Sequence, residues 1–543
     1  MPGVEATVEL HARLSGWLVG IVGLSEVGTM RLDGILQDIT PDTRAAVSPI
    51  SLTYGIQGTG PLDRVASSGV LNWALDNSAA NSEGAQGAYS PDHDNVIAGW
   101  DIGIDILLKI TYDSVTYYKF AGTLISIEPD AGAYGRQAVQ CTAVDYMDDC
   151  ARAKIRAIGI QTDQRADQLI DTIITTAVAK QPEATDYATG QSTFGISLDN
   201  VLDNQSSVLS ALSTCVQSEL GYLYVKGDTT TGGVLRFEDR HTRPKFGLAV
   251  GTFDNTMQGL TVTRNRAELI NRVNVVVHPR TTDASASVLY ELTSTGTTPT
   301  IPAGGSITIN CPFREASLNA YRVAALSLIA PVSGTDFVAN SAEDGSGSNM
   351  TSDITCVINE AGANSAQLLI TNNAATTATF LTTLQLRGIA VRDVTETVLA
   401  ASNTDSQAIF GEVDVRINMP YESRAGEFGN EIARWILNIY KDPTYRISGF
   451  ELASNASAYL MTQSLAREPG DKITLSETVT GISATGASGA EIGFFIQGVA
   501  MEITPPAVIH TSWVLAPASG QAAWVLNQAG ASEMGISTNL GYA

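Results

Sequence analysis

At 543 residues the chain is too long for a single hydrophobic core and predicts three to five domains. Only 16% of residues are charged and 44% are hydrophobic, which excludes a disordered chain and favours a tightly packed, β-rich protein. The net charge of −24, without any basic run, excludes a surface that grips nucleic acid by neutralising phosphates.

The acidic balance suits simple solubility, or a wall past which a polyanion slides without adhering. The cysteines Cys141, Cys150, Cys215, Cys311 and Cys356 are odd in number and lack paired-ligand spacing, so neither a disulfide framework nor a zinc site is predicted, and cytosolic synthesis fits best. The apolar run Trp17 to Leu24 is short, interrupted by Gly20 and Gly23 and preceded by Glu5 and Glu9, so it is read as neither signal peptide nor membrane anchor.

Residues 1–150 read as an antiparallel β-barrel or sandwich. Leu52 to Ile56 forms a strand, a polar loop spans Ser78 to Asn95, and Ile102, Ile104, Ile106, Leu108 and Ile110 alternate. Asp113 and Ser114 turn the chain into strands at Thr116–Phe120, Thr123–Ile127 and Arg136–Ala143. Residues 151–245 shift to α/β. Leu169, Ile170, Ile173 and Ile174 share a helix face that Pro182 closes. A second helix, carrying Val208, Leu212, Cys215 and Val216, follows the capping serines Ser206 and Ser207 and stops at Gly221. Tyr222–Val225 and Val234–Phe237 then form a hairpin ending in Phe237-Glu-Asp-Arg240.

Beyond Phe246, a short strand is expected within Asp254–Thr263, and Val273, Val275 and Val277 alternate. Residues 283–395, rich in Thr, Ser, Ala and Asn, carry short strands separated by Gly and Asn turns and read as an inserted β-sandwich. Val413, Val415, Ile417 and Met419 alternate, and Phe428, Ile432, Ile436, Leu437 and Ile439 give a helix closed by Pro443. In the strand Glu491–Ile503 the apolar parity slips at Gln497-Gly498, where a bulge is expected. Trp513-Val-Leu-Ala-Pro and Trp524 to Tyr542 read as an extended C-terminal arm.

No catalytic, cofactor-binding or metal residues are assigned. His11, His93, His241, His278 and His510 lie in different segments, and neither a Gly-x-Ser-x-Gly elbow nor a phosphate-cradling loop occurs. Pro91-Asp-His-Asp-Asn95 offers alternate oxygen ligands but no closing acid, so an exposed turn is the better reading. Asp145, Asp148 and Asp149 are read as cap and dipole partners at a helix start rather than as a glycosidase cluster.

Ser218-Glu-Leu-Gly-Tyr-Leu-Tyr followed by Leu235-Arg-Phe-Glu-Asp-Arg resembles the central α/β segment of phage tail hub proteins, a family that includes contractile-phage baseplate hubs and the hub part of type VI secretion spikes. Phe120-Ala-Gly-Thr-Leu-Ile-Ser-Ile-Glu-Pro and Val139 to Asp145 resemble that family's first tube-forming domain, and Leu269-Ile-Asn-Arg-Val resembles the start of its second. The resemblance implies a first tube domain at 1–150, an α/β domain at 151–245, a second tube domain at 246–282 plus 396–516 interrupted by the sandwich at 283–395, and an arm at 517–543.

By the same resemblance the chain is a non-enzymatic homotrimeric hub at the distal tail tip of a virion, made in the host cytoplasm and leaning towards the non-contractile type. Its implied neighbours are tail-tube or distal tail proteins, tip or fibre proteins and a tape-measure protein. DNA would cross its channel without specific binding, and the host surface would be met only indirectly. The alternatives are a receptor-binding tail protein whose insertion grips a host glycan, and a polysaccharide hydrolase using Asp148 and Asp149.

Overall fold

The computed structural model describes residues 4–14, 35–130, 135–201, 205–243, 247–292, 298–315, 318–424, 427–442, 446–485, 491–504 and 508–518. The apolar run at 17–24 and the arm from residue 519 onward lie outside the described residues. The chain is β-rich, and among the described residues it has six α-helices: α1 (Tyr146–Arg152), α2 (Ala166–Ala177), α3 (Val208–Glu219), α4 (Thr404–Phe410), α5 (Glu427–Tyr440) and α6 (Ala458–Ala466).

Alternating strands from both ends of the sequence combine into one sheet of thirteen strands. Residues 7–144 supply seven of them; the other six come from 251–263 and 446–517. The two runs meet where Ile50–Gly55 pairs antiparallel with Gly493–Thr504, in unbroken register from Ile50 opposite Ile503 to Gly55 opposite Gly498. One parity on both runs is apolar, so Leu52, Trp73 and Cys141 share a core with Phe450, Met501 and Trp513. Burying that face across the seam makes the two runs a single packing unit.

Local signals set the details. Asp113 (φ 48°) and Ser114 (φ 64°) make the two-residue turn between Asp105–Tyr112 and Val115–Pro129, both in the left-handed conformation that tight hairpins need. The expected bulge lies between Ile496 and Gly498, where the register against Val508–Pro517 shifts. Two expectations change here. Ile102 precedes the strand and is 61% exposed, because the chain turns at 102–103 before pairing begins at Asp105. Trp513 does not belong to an arm: Val508–Pro517 is an inner strand that places Ile509, Trp513 and Leu515 in the core.

The α/β unit packs α1, α2 and α3 on the antiparallel pair Tyr222–Lys226 and Val234–Glu238, to which Ala184–Tyr187 adds a parallel strand. Ser207 caps α3 by accepting from Ser210 N at 3.2 Å. Its stop differs in detail from the expectation, because Leu220, not Gly221, takes the left-handed position, with φ 58°. Gly221 is needed for close approach instead, since a Cβ there would lie 2.4 Å from the Glu238 carbonyl oxygen.

Arg272–Val277 and Asp414–Met419 stand outside the large sheet. They pair in parallel with each other, with Thr397–Ser402 on the far side of Arg272–Val277, under the apolar face of α5. Alternation alone gave these strands a buried face but did not choose their partner. The segment between them has its own core, built around the fifteen-residue strand Thr379–Asp393 and a separate three-stranded sheet.

Candidate channel wall

Eight neighbouring strands of the large sheet form a continuous wall, running from Gln258–Thr263 at one side to the second half of Val115–Pro129 at the other. Its core face is apolar; its opposite face carries mostly small and polar residues, with Val70 and the buried Val144 among them. Cross-strand register lines that face into rows. One row runs Ser126, Thr142, Asn72, Ser51, Glu502, His510 and Ala453. The next runs Thr123, Val144, Val70, Thr53, Ala500, Ser512, Glu451 and Gln258. Neither row contains Lys or Arg, and the carboxylates of Glu502 and Glu451 are exposed, so the face presents hydroxyls and negative charge. Neither row was readable beforehand, because both depend on long-range register.

Both sides of this wall end in open hydrogen-bonding edges. Gln258–Thr263 pairs with Arg446–Ala453 on one side, and among the described residues nothing pairs with its other side. Val115–Pro129 pairs with Asp105–Tyr112 only up to Thr123, so Ile125–Pro129 has a strand on one side alone. Open edges of this kind are templates for another strand. Gln258-Gly-Leu-Thr-Val-Thr263 carries no charge to oppose such pairing.

Buried ion pairs fix the wall to its supports. Glu468, on the loop after α6, ion-pairs with the fully buried Lys119, accepts from Tyr54 Oη at 2.8 Å and accepts from Gly227 N at 3.0 Å. Lys119 also donates to the Leu465 carbonyl at 3.1 Å. One carboxylate therefore joins both runs of the sheet to the hairpin of the α/β unit. The hairpin tip is stitched further by reciprocal backbone bonds between Tyr118 and Asp228.

The Phe237-Glu-Asp-Arg240 segment supplies the next contacts. Glu238 accepts from Arg243 Nε at 2.8 Å and from Tyr224 Oη at 2.9 Å, while Arg243 reaches Gln497 Oε1 at 3.1 Å, on the bulge. Burial, with Glu238 alongside, raises the Tyr224 hydroxyl well above its ordinary value, so it remains a donor. Arg240 donates to Glu219 at 2.9 Å and to Ser192 at 2.8 Å, and Arg424 reaches the same Ser192 hydroxyl at 2.8 Å. The inserted segment is tied down through Arg280, which contacts Asp199 at 2.5 Å, Asp393 at 2.9 Å and the Pro420 carbonyl at 3.0 Å.

The candidate chemical residues have structural partners. Asp148 and Asp149 both pair with Arg152 within α1, at 2.7 and 3.1 Å. Asp145 caps α1, accepting from Met147 N at 3.0 Å. Asp92, His93, Asp94 and Asn95 are exposed, and among the described residues no cluster of His, Cys, Asp and Glu is arranged to hold a metal. All five cysteines are buried thiols.

Asp145 has a measurable consequence. Burial, reinforced by the carboxylates of Asp148 and Asp149, raises its pKa from 3.8 to about 7 against two backbone hydrogen bonds that lower it. A folded-state value above the unfolded one means that the fold favours the protonated acid. Stability should therefore fall as pH rises from about 4 through about 7. Asp145→Asn keeps the cap acceptor and removes the charge. Melting temperature across pH 5–8 should be flatter for the variant, which should exceed the parent above pH 7; parallel curves would refute this assignment.

The fold is thus β-rich, with one large sheet built from both ends of the sequence. No protein-family model and no curated protein matches the chain. It is similar to the solved tail protein from Neisseria meningitidis MC58, with a TM-score of 0.45 and 8% identity over 95% of this chain and 98% of that one. The prophage MuSo2 43 kDa tail protein from Shewanella oneidensis gives the same values. An E. coli type VI secretion component, described as structurally similar to the T4 bacteriophage tail proteins gp27 and gp5, gives a TM-score of 0.37 and 9% identity over 89% of this chain and 78% of that one. These are the two groups named by the sequence resemblance, phage tails and type VI secretion.

Proposed function

We propose that the chain is a structural hub of a phage or phage-like tail, three copies of which close into a ring around a channel. The observation that carries this reading is the single wall built from both ends of the sequence, which leaves an open edge at Gln258–Thr263 and another at Ile125–Pro129. Edge pairing between successive copies is heterologous, and such contacts close when the rotation returns to the start. Each copy brings two strand runs, so three copies present a sixfold-like ring to a hexameric tube above and threefold symmetry below. The division into tube, α/β, sandwich and arm regions belongs to this proposal, with Arg272–Val277, Thr397–Ser402, Asp414–Met419 and α5 as a support beside the second tube run. The small polar rows face the channel, where their lack of Lys and Arg lets DNA or a tape-measure protein pass without phosphate contacts. The role is mechanical: to continue the channel and anchor tip components in the virion.

Cysteines placed on the two edges test it. In a protein carrying Ile125→Cys and Thr261→Cys, mild oxidation should give an intermolecular ladder that stops at three chains. The control variant Val332→Cys, on an exposed turn of the insertion that neither edge strand contacts, should not. A ladder that runs past three, or none at any concentration, would contradict ring closure.

A further inference from the structure

Pairing between copies has a direction, and the wall fixes it. From Gln258–Thr263 to Val115–Pro129 its eight strands make seven consecutive pairings, all antiparallel. The first and last strands therefore run in opposite directions. Rotation about a ring axis leaves each strand's direction along that axis unchanged. Gln258–Thr263 of one copy thus meets Ile125–Pro129 of the next antiparallel, and the alternation continues through the seam.

The lane beside Ile125–Pro129 has a closed end. Gly103 N donates to the Leu124 carbonyl at 2.7 Å and Leu124 N donates to the Ile104 carbonyl at 2.9 Å, so the turn at 101–104 fills the lane up to Leu124. A strand entering antiparallel arrives with its C-terminal end at this turn. Apolar surface waits there: Ile102 is 61% exposed, and Ile125, first on the open edge, is 42% exposed. Asp101 stands exposed beside them, and the incoming end carries the exposed Arg264 immediately after its strand.

From this we propose that the turn at 101–104 is a docking socket for a second copy of the chain, a contact that rests on the ring reading above. The Thr263 end of the neighbouring copy's edge strand abuts the turn, its backbone covers Ile102 and Ile125, and its Arg264 ion-pairs with Asp101. The socket sets the register. A strand sliding further would strike the turn, and one sliding back would leave both isoleucines in water. The uncharged edge Gln258–Thr263 supplies no such signal by itself. Copies that each carry a net charge of −24 repel one another, and a cation at one edge opposite a carboxylate at the other relieves that repulsion where contact is made.

Charge swaps in the full-length protein test the socket, with light scattering over a concentration series giving the number of chains. Asp101→Arg alone and Arg264→Asp alone should each raise the concentration needed for half assembly by about tenfold or more. Both residues are exposed, so melting temperatures should stay near the parent's. The chain carrying both changes, with opposite charges again face to face, should recover assembly. Direction is read separately by oxidising two cysteine pairs. Ile125→Cys with Thr263→Cys should link chains, and Ile125→Cys with Gln258→Cys should not. A parent that stays a single chain at every concentration removes the ring and this contact together. Where the parent does form a ring, assembly untouched by either single swap, no recovery in the double variant, or linkage through position 258 overturns the socket and leaves the ring standing.

Discussion

Glu468→Ala is expected to destabilise the wall by about 3–5 kcal/mol, the range seen when one member of a buried ion pair is removed. The reason is local. The Lys119 side chain is fully buried, and without the Glu468 carboxylate its retained hydrogen bonds go to backbone carbonyls, chiefly Leu465 at 3.1 Å. Tyr54 Oη and Gly227 N lose their acceptor at the same time. Pairing the change with Lys119→Met should recover part of the loss, because the stranded charge goes while the two orphaned donors remain. The exposed pair Arg272–Glu412, whose side chains are 43% and 53% accessible, supplies the contrast: Arg272→Ala should cost no more than about 1 kcal/mol. Denaturant melts followed by tryptophan fluorescence would show it. A Glu468 variant as stable as the parent would mean that this carboxylate does not join the two runs.

Trp513→Ala should cost about as much, roughly 3–5 kcal/mol. Trp513 is 1% exposed and lies edge-on to Phe253 and Phe450, each at a centroid distance of 5.4 Å, on a strand hydrogen-bonded along both sides. Trp513→Phe retains most of that contact and should lose much less. An exposed arm would predict almost no effect from either change, so the pair of variants separates the two placements of this segment.

The difference between those placements shows what sequence could convey. Short-range features were readable because their causes are short-range: the Asp113-Ser114 turn, the Ser207 cap, the hairpin Tyr222–Glu238 and the parity slip at Gln497-Gly498 each lie within a few residues. The strand Thr7–Leu14 was missed although Leu10, Ala12 and Leu14 share one buried parity, because His11 and Arg13 alternate with alanine and leucine rather than with β-branched residues. Trp513 reads as part of an arm because proline and small residues follow it, while the parity of Ile509, Thr511, Trp513 and Leu515 is the better signal.

Partner choice was beyond reach for another reason. Arg272–Val277 and Asp414–Met419 pair in parallel across the whole inserted sandwich, and alternation sets which face is buried, not which strand lies alongside. Lys119 and Glu468 are 349 positions apart, and neither is marked in sequence as a buried charge. The polar wall is legible only once seven or eight strands are in register; composition alone gave no more than its sign, through the net charge of −24.

The most direct test of the central claim is the mass of the purified full-length chain by light scattering, taken with electron microscopy of the same sample. The account predicts particles of three 57.2 kDa chains with threefold views and a central channel. A compact single chain without rings at every concentration tried, even with tail extract added, would contradict it.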